Sequence, residues 1–313
     1  MTTPSLKNLL LLLVPGVLWG GAFLLVELIL VTIPPFTLTL GRNFISTIAL
    51  WLMLYWLGGR LPRTWAPWKH NLFLGLVNNT LPFVLVSWGQ LFIESGLATI
   101  LISTMPLFTI LLAHFLTDDE HLTTEKIIGI TLGMVGILVL MGPTALQGLG
   151  ENLWGQLAVL GAALCYAIGG IYTRQVFRQN QRQQNQSQWT TLVEVTTGQF
   201  IAATLFVLPG SLLLEQPWAL QPSLLSMLSL LALALVVTIG AILVYYYLID
   251  VAGVTMASIV IYLIPINGVF WGAVVLDEPI TWQVLVALAL ILVGTAIING
   301  LFKSRSTSVQ SAP

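Results

Sequence analysis

The sequence predicts an all-α membrane protein, ten transmembrane helices arranged as two inverted five-helix repeats. Three observations carry this. The chain is 57% hydrophobic and only 7% charged, against roughly one quarter charged in an ordinary soluble domain. Its charged residues leave ten uncharged gaps of 17 residues or longer, at 8–26, 43–59, 70–93, 95–117, 127–150, 152–173, 195–214, 216–249, 251–276 and 279–302. Residues 98–142 are echoed by residues 257–300.

Each gap suits the roughly 20-residue helix that crosses a bilayer's hydrocarbon core. A β-barrel would instead need short segments of alternating polarity. The first gap follows Lys7 as a signal peptide's apolar region would, but Pro15, Glu27 and nine later spans favour a retained helix. The lone Cys165 leaves no disulfide or cysteine metal site within the chain. A net charge of −1 gives no field for nucleic acid, so the expected partners are the lipid bilayer and a small-molecule substrate.

With a cytoplasmic N-terminus and alternating spans, Lys7, Arg60, Arg63, Lys69, Lys126, Arg174, Arg178, Arg182, Lys303 and Arg305 all fall on the cytoplasmic side. None falls opposite, which is the positive-inside pattern. The remaining basic residue, Arg42, lies inside helix 2. The expectation is a multi-pass protein of the cell membrane with both termini cytoplasmic. RQNQRQQNQSQ, residues 178–188, is too polar to fold alone and reads as a solvated linker.

The repeat aligns Ala98 with Ala257 and Pro106 with Pro265 at an offset of 159. It then aligns Glu120 with Glu278, Thr123 with Thr281, Gly136 with Gly294 and Gly142 with Gly300 at 158. Upstream, LWGGAF (18–23) lies over CYAIGG (165–170), and Gly41-Arg42 over Gly198-Gln199. The expected division is a tail at 1–8, a first repeat at 9–142, a loop at 143–152, a second repeat at 153–302 and a tail at 303–313. Five helices per unit is an odd number, so the second copy enters the membrane with opposite polarity. Inverted repeats recur in transporters because one fold used in two orientations can open to either side in turn.

PGVLWGGAFLLVELIL followed by PPFTLTLGRNF, then ATILISTMPLFTILLAHFLTDDEHLT and MASIVIYLIPINGVFWGAVVLDEPIT, resemble the paired EamA-type domains of the drug/metabolite transporter superfamily, over nearly residues 9–302. The motif in each half is loose: a Trp-Gly entry, a mid-helix proline and a glutamate about 13 residues later. The resemblance implies ten helices, both ends cytoplasmic, a central cavity between the halves and carriage of small metabolites, often outward. Amino acid-like compounds are the first substrate class it suggests. Tyr166-Ala167 replaces the second Trp-Gly pair, so the sixth helix is expected to line the cavity differently.

Polar side chains within spans sit where they meet a partner or a watery cavity, because an unpaired polar group in hydrocarbon costs several kcal/mol. LVNNTLPFV, residues 76–84, places Asn78 and Asn79 near the centre of the third span, one turn before Pro82. Proline lacks the N–H that would bond the Asn78 carbonyl. Adjacent helical positions differ by 100°, so one asparagine is expected to line the cavity and the other to pack as interhelical glue. Pro106 and Pro265 occupy matching places in helices 4 and 9, and interrupted helices at corresponding positions point to a transport site. Ser103, Thr104 and Thr109 stand near one, Ser258, Tyr262 and Asn267 near the other. The rival reading is a packing kink whose hydroxyls bond their own preceding carbonyls.

Trp19 and Tyr166 occupy equivalent mid-membrane places and suit an aromatic cavity wall or core packing. Trp65, Trp68, Trp154, Trp189, Trp218 and Trp282 form an interfacial belt, and Tyr245, Tyr246 and Tyr247 read as anchors. Glu27 and Arg42 lie seven residues on either side of Pro34-Pro35, so an intramembrane ion pair is expected, structural or gating. Glu194 reads as a snorkelling end residue. TDDEHLTTEK, residues 117–126, lacks calcium or zinc spacing and reads as a helix entry capped by Thr123 or Thr124. Gly129, Gly133 and Gly136 form a small-residue stripe for helix 10 or for a second protomer in a homodimer. No phosphate loop, HExxH, GxSxG or nucleotide fingerprint occurs, so no cofactor, metal or ATP hydrolysis is expected. An intramembrane lipid-modifying enzyme would need a nucleophile, acid and base together, and His70, His114 and His121 are scattered. A non-transporting sensor or scaffold is the third class.

Overall fold

A computed structural model describes residues 6–116, 122–141, 151–180, 188–252, 257 and 259–299. Ten helical spans follow in order: α1 (Leu6–Leu30), α2 (Pro35–Trp56), α3 (Trp65–Gly89), α4 (Ser95–Leu116), α5 (Thr124–Met141), α6 (Glu151–Asn180), α7 (Gln188–Gly210, prolonged by Ser211–Glu215), α8 (Leu224–Ala252), α9 (Val260–Val275) and α10 (Trp282–Ile298). Seven of them are long and apolar enough to cross a membrane, and α5, α9 and α10 are shorter. No strand occurs among the described residues.

The surface is that of a protein in lipid. Trp56, Phe115, Leu213, Leu224 and Val274 are exposed, while Thr39, Arg42, Asn43, Ser46, Gln90 and Thr99 are buried. In water this would be a large aggregating patch. In hydrocarbon it is the arrangement that leaves polar groups to the interior.

The helices that pack together are those that exchange of the two repeats requires. The pairs α5–α10, α2–α7 and α4–α9 each join equivalent helices, α1–α9 is matched by α6–α4, α1–α8 by α6–α3, and α2–α8 by α7–α3. A pseudo-twofold relation therefore runs through the packing. Helix starts repeat it. Thr123 accepts from the Lys126 N–H at 3.4 Å and Thr281 accepts from the Val284 N–H at 3.4 Å. These are equivalent N-caps on α5 and α10.

Glycines set the closest crossings. A Cβ at Gly129 would lie 2.6 Å from the Gly294 carbonyl oxygen, and one at Gly294 would lie 2.5 Å from that of Gly129. The repeat-related contact places Gly136 over the Ala287 carbonyl. The glycine stripe of α5 is thus used against α10 within the chain. Gly89 on α3 and Gly155 on α6 meet in the same way.

Both α3 and α8 carry a π turn at equivalent places, Gly75–Thr80 and Leu233–Gly240. The Leu81 N–H reaches back to Leu76 O and the Ala241 N–H to Val236 O, five residues rather than four. In each a threonine hydroxyl spans the widened turn: Thr80 Oγ1 donates to Gly75 O at 3.0 Å, and Thr238 Oγ1 to Leu233 O at 2.7 Å.

Candidate functional site: a cavity between the repeats

A cavity of about 600 Å³ lies between the two halves. The first repeat supplies Trp19, Phe23 and Val26 from α1, Arg42 from α2, Asn78, Asn79 and Phe83 from α3, and Ser103, Pro106 and Thr109 from α4. The second supplies Tyr166 from α6, Thr238 and Tyr245 from α8, and Val260, Ile261 and Ile264 from α9. Asn299, exposed just past α10, stands at the rim on the face that carries the ends of α4, α8 and α10.

Both asparagines reach the wall, where one was expected to pack. The π turn is the reason, since a wider turn rotates successive side chains by less than the 100° of an α-helix. Asn78 lies against Gly169 of α6, where any Cβ would collide with its amide. Neither asparagine side chain bonds to a described protein group. The irregularity comes before Pro82, which is buried beside the lining residue Phe83.

The paired prolines behave differently from one another. The hydrogen-bonded run of α4 breaks after Ile102 and resumes at Met105, leaving Ser103 and Pro106 on the wall. Around Pro265, α9 is continuous from Val260 to Val275, and the adjacent Ile264 does the lining. The hydroxyls mostly satisfy their own helix: Ser103 Oγ donates to Thr99 O at 2.7 Å, Thr104 Oγ1 to Leu101 O at 2.6 Å and Thr109 Oγ1 to Met105 O at 2.8 Å. Asn267 Nδ2 donates likewise to Leu263 O at 2.8 Å. Tyr262 turns away from the cavity. Its hydroxyl donates to Thr295 O at 3.2 Å and accepts from Asn299 Nδ2 at 2.7 Å. Ser258 lies outside the described residues.

The expected ion pair is not formed. The Glu27 carboxylate accepts from Gln90 Nε2 at 3.2 Å, and the same amide donates to Phe23 O at 3.0 Å. Arg42 turns the other way. Its Nε donates to Thr238 Oγ1 at 2.9 Å and its guanidinium carbon sits 3.6 Å from the centre of the Phe83 ring. Equal depth on a hairpin fixes height in the membrane but not direction. α1 packs chiefly on α8 and α9, while α2 packs on α7 and α8, and this carries the two side chains apart.

Opposite the rim, the repeats are tied together by hydrogen bonds. Glu215 accepts from the Phe36 and Thr37 N–H groups at 2.9 and 2.6 Å, which closes the first turn of α2. Glu278 accepts from the Ser95 and Gly96 N–H groups at 2.7 and 2.8 Å, which does the same for α4. The positive φ of the neighbouring Gln216 (47°) and Asp277 (55°) turns the chain at both places. Thr32 donates to Ser226, which donates on to Leu28 O. Between these ties, burial and then the Glu278 carboxylate push the Glu94 carboxyl above the usual range. The glutamate of the repeat motif is therefore, at Glu278, a cap delivered from one half to the other. Its counterpart Glu120 lies outside the described residues, as does the whole DDEH run of residues 118–121.

The EamA-like transporter family matches residues 6–142 and again 153–300. The chain belongs to that family. This EamA-like chain is 23% identical over 277 residues to "Uncharacterized transporter YoaV" of Bacillus subtilis, covering 88% of this chain and 91% of the relative. It is 28% identical over 317 residues to the "Probable amino-acid metabolite efflux pump" of Salmonella typhimurium, covering 97% and 98%. A solved crystal structure with 20% identity superposes with a TM-score of 0.64 over 96% of this chain and 99% of its own, a likeness of fold. The protein is a multi-pass membrane transporter of the drug/metabolite type.

Sequence reasoning missed several of the EamA-like chain's lining residues. Tyr245, read as an anchor, lines the cavity and packs against Trp19 there with ring centres 5.2 Å apart. Thr238 also lines it, at the repeat offset of 158 from Thr80. Arg42 was assigned to a partner that it does not meet. His70, away from the cavity wall, shares a 2.7 Å hydrogen bond with the Tyr172 hydroxyl.

Proposed function

We propose that the protein is a secondary carrier that exports a small, amino acid-like metabolite from the cytoplasm by alternating access. The observation that carries this is a cavity of about 600 Å³ between the repeats, with the cross-repeat ties of Glu215 and Glu278 at the helix ends opposite its rim. That volume is in the range of small-molecule sites. Its walls are mainly apolar, with a few polar groups to orient a ligand. The relative named as an amino-acid metabolite efflux pump supports the substrate class. With both termini cytoplasmic, as the charge bias favours, the rim at Asn299 faces the cytoplasm and the carboxylate ties face outward. The cavity is then loaded from inside. Pseudo-twofold exchange of the two halves supplies the opposite state.

The test is flux in proteoliposomes with a panel of labelled amino acids and related metabolites, with and without a proton gradient. The expected result is saturable movement of at least one compound that empty liposomes lack. If no metabolite moves under either condition, the carrier reading fails.

A further inference from the structure

Arg42 is only 9% exposed, yet it lines the cavity. Its Nε is held by Thr238 and its plane by Phe83. Of its five N–H donors, only that on Nε has a protein acceptor among the described residues. The four on Nη1 and Nη2 have none. No aspartate or glutamate is among the described residues that line the cavity, and Glu27 is engaged by Gln90. A guanidinium stays charged at any physiological pH, and a charge in so apolar a chamber is costly without a counter-charge. The side chain is thus fixed in position with its two-pronged end unoccupied.

We infer that Arg42 is the anion anchor of the cavity, taking the carboxylate of the transported compound end-on between Nη1 and Nη2. This rests on the carrier reading for its physiological meaning, though not for its geometry. With Nε committed to Thr238, the side-on fork is unavailable and the Nη pair is the remaining bidentate edge. The rest of the wall completes the specification. The amide of Asn79, without a protein partner among the described residues, supplies a carbonyl oxygen for an ammonium group, while Asn78 adds a second amide to the wall with its Oδ1 turned toward Gly169. Trp19, Tyr245 and Ile264 offer an apolar face to a side chain. The chemistry recognised is a carboxylate joined to an apolar body, best matched by a large neutral amino acid.

Binding and flux are measured separately. Equilibrium binding of L-phenylalanine and L-leucine to purified wild-type protein is compared with that of phenethylamine and isoamylamine, which lack only the carboxylate. The same series is run on Arg42→Gln, Arg42→Lys and Thr238→Val, each checked for monodispersity. The amino acids are expected to bind and the amines to bind at least about tenfold more weakly, as loss of a charge-assisted pair implies. Arg42→Gln should abolish that preference and Arg42→Lys should keep part of it. Thr238→Val should weaken amino acid binding more than amine binding, narrowing the preference. Should Arg42→Gln not fold, the wild-type preference and the other two variants decide. Equal binding of acids and amines by the wild type, or an unchanged preference in a folded Arg42→Gln, overturns the anchor. So does the absence of any carboxylate binding. Arg42-dependent binding without flux in proteoliposomes supports the anchor and overturns the carrier reading; flux indifferent to Arg42 does the reverse.

Discussion

Glu278 and Gly96 belong to different repeats, and the carboxylate of one closes the backbone of the other at 2.8 Å, with the Ser95 N–H at 2.7 Å beside it. A helix N-terminus offers unpaired N–H groups and a partial positive charge, and a carboxylate satisfies both. Gly272 leaves room for it, since a Cβ there would collide with Glu278 Oε2. Glu278→Ala should therefore cost about 1–3 kcal/mol through two lost charge-assisted bonds, read as earlier thermal aggregation in detergent. Glu278→Gln, which keeps only one acceptor, should fall between. A wild-type melting curve for Glu278→Ala would mean that water caps α4 as well.

The crossing of α5 and α10 depends on two missing side chains. Gly129→Ala and Gly294→Ala each push a methyl onto the facing backbone carbonyl, and backbone yields less readily than a side-chain end. Each should destabilise by about 1–3 kcal/mol. Gly170→Ala is the contrast, because nothing lies within 4 Å of a Cβ there. It should be neutral or stabilising by up to about 1 kcal/mol, as helix propensity dictates. The comparison of the three melting temperatures separates close packing from glycine's general effect.

Separate partners for Glu27 and Arg42 give a numerical expectation. In a double-mutant cycle on stability, Glu27→Gln with Arg42→Gln should be additive within about 0.5 kcal/mol, as for residues that share no partner. Glu27→Gln with Gln90→Leu should show coupling of about 1 kcal/mol, the size of an ordinary hydrogen bond. The charge-reversed pair Glu27→Arg with Arg42→Glu should not rescue either single reversal. Rescue would restore the ion pair.

What the sequence made legible was set by the bilayer and by repetition. Ten spans follow from the need to cross hydrocarbon without charge, and inversion follows from an odd count. The contacts of Gly129 with Gly294, and the caps of Thr123 and Thr281, sit on residues that the repeat had already paired or singled out. The azimuth of each helix was not legible. The direction in which Arg42 and Tyr262 point depends on which helix of the other repeat lies alongside, and no local pattern encodes that. The π turns escaped for a related reason: a backbone bond to the fifth residue rather than the fourth leaves the residue types unchanged. Their consequence is large, since they bring Asn78 and Asn79 onto one wall.

Those π turns yield the last expectation. Thr80 and Thr238 each bond five residues back and each also meets the opposite repeat, Thr80 at Ala203 O at 3.3 Å and Thr238 through Arg42 Nε at 2.9 Å. A widened turn has weaker internal bonding than the helix around it, so the hydroxyl is what holds its shape. Thr80→Val and Thr238→Val keep side-chain volume and remove the donor, and each should cost about 1 kcal/mol of stability. Under the proposed alternating access, the pseudo-twofold would pair bending at one turn in the inward-facing state with bending at the other in the outward-facing state. Both variants should then slow exchange across liposome membranes. Slowed exchange in Thr238→Val alone would assign the effect to Arg42 and leave the π turns as static wall elements.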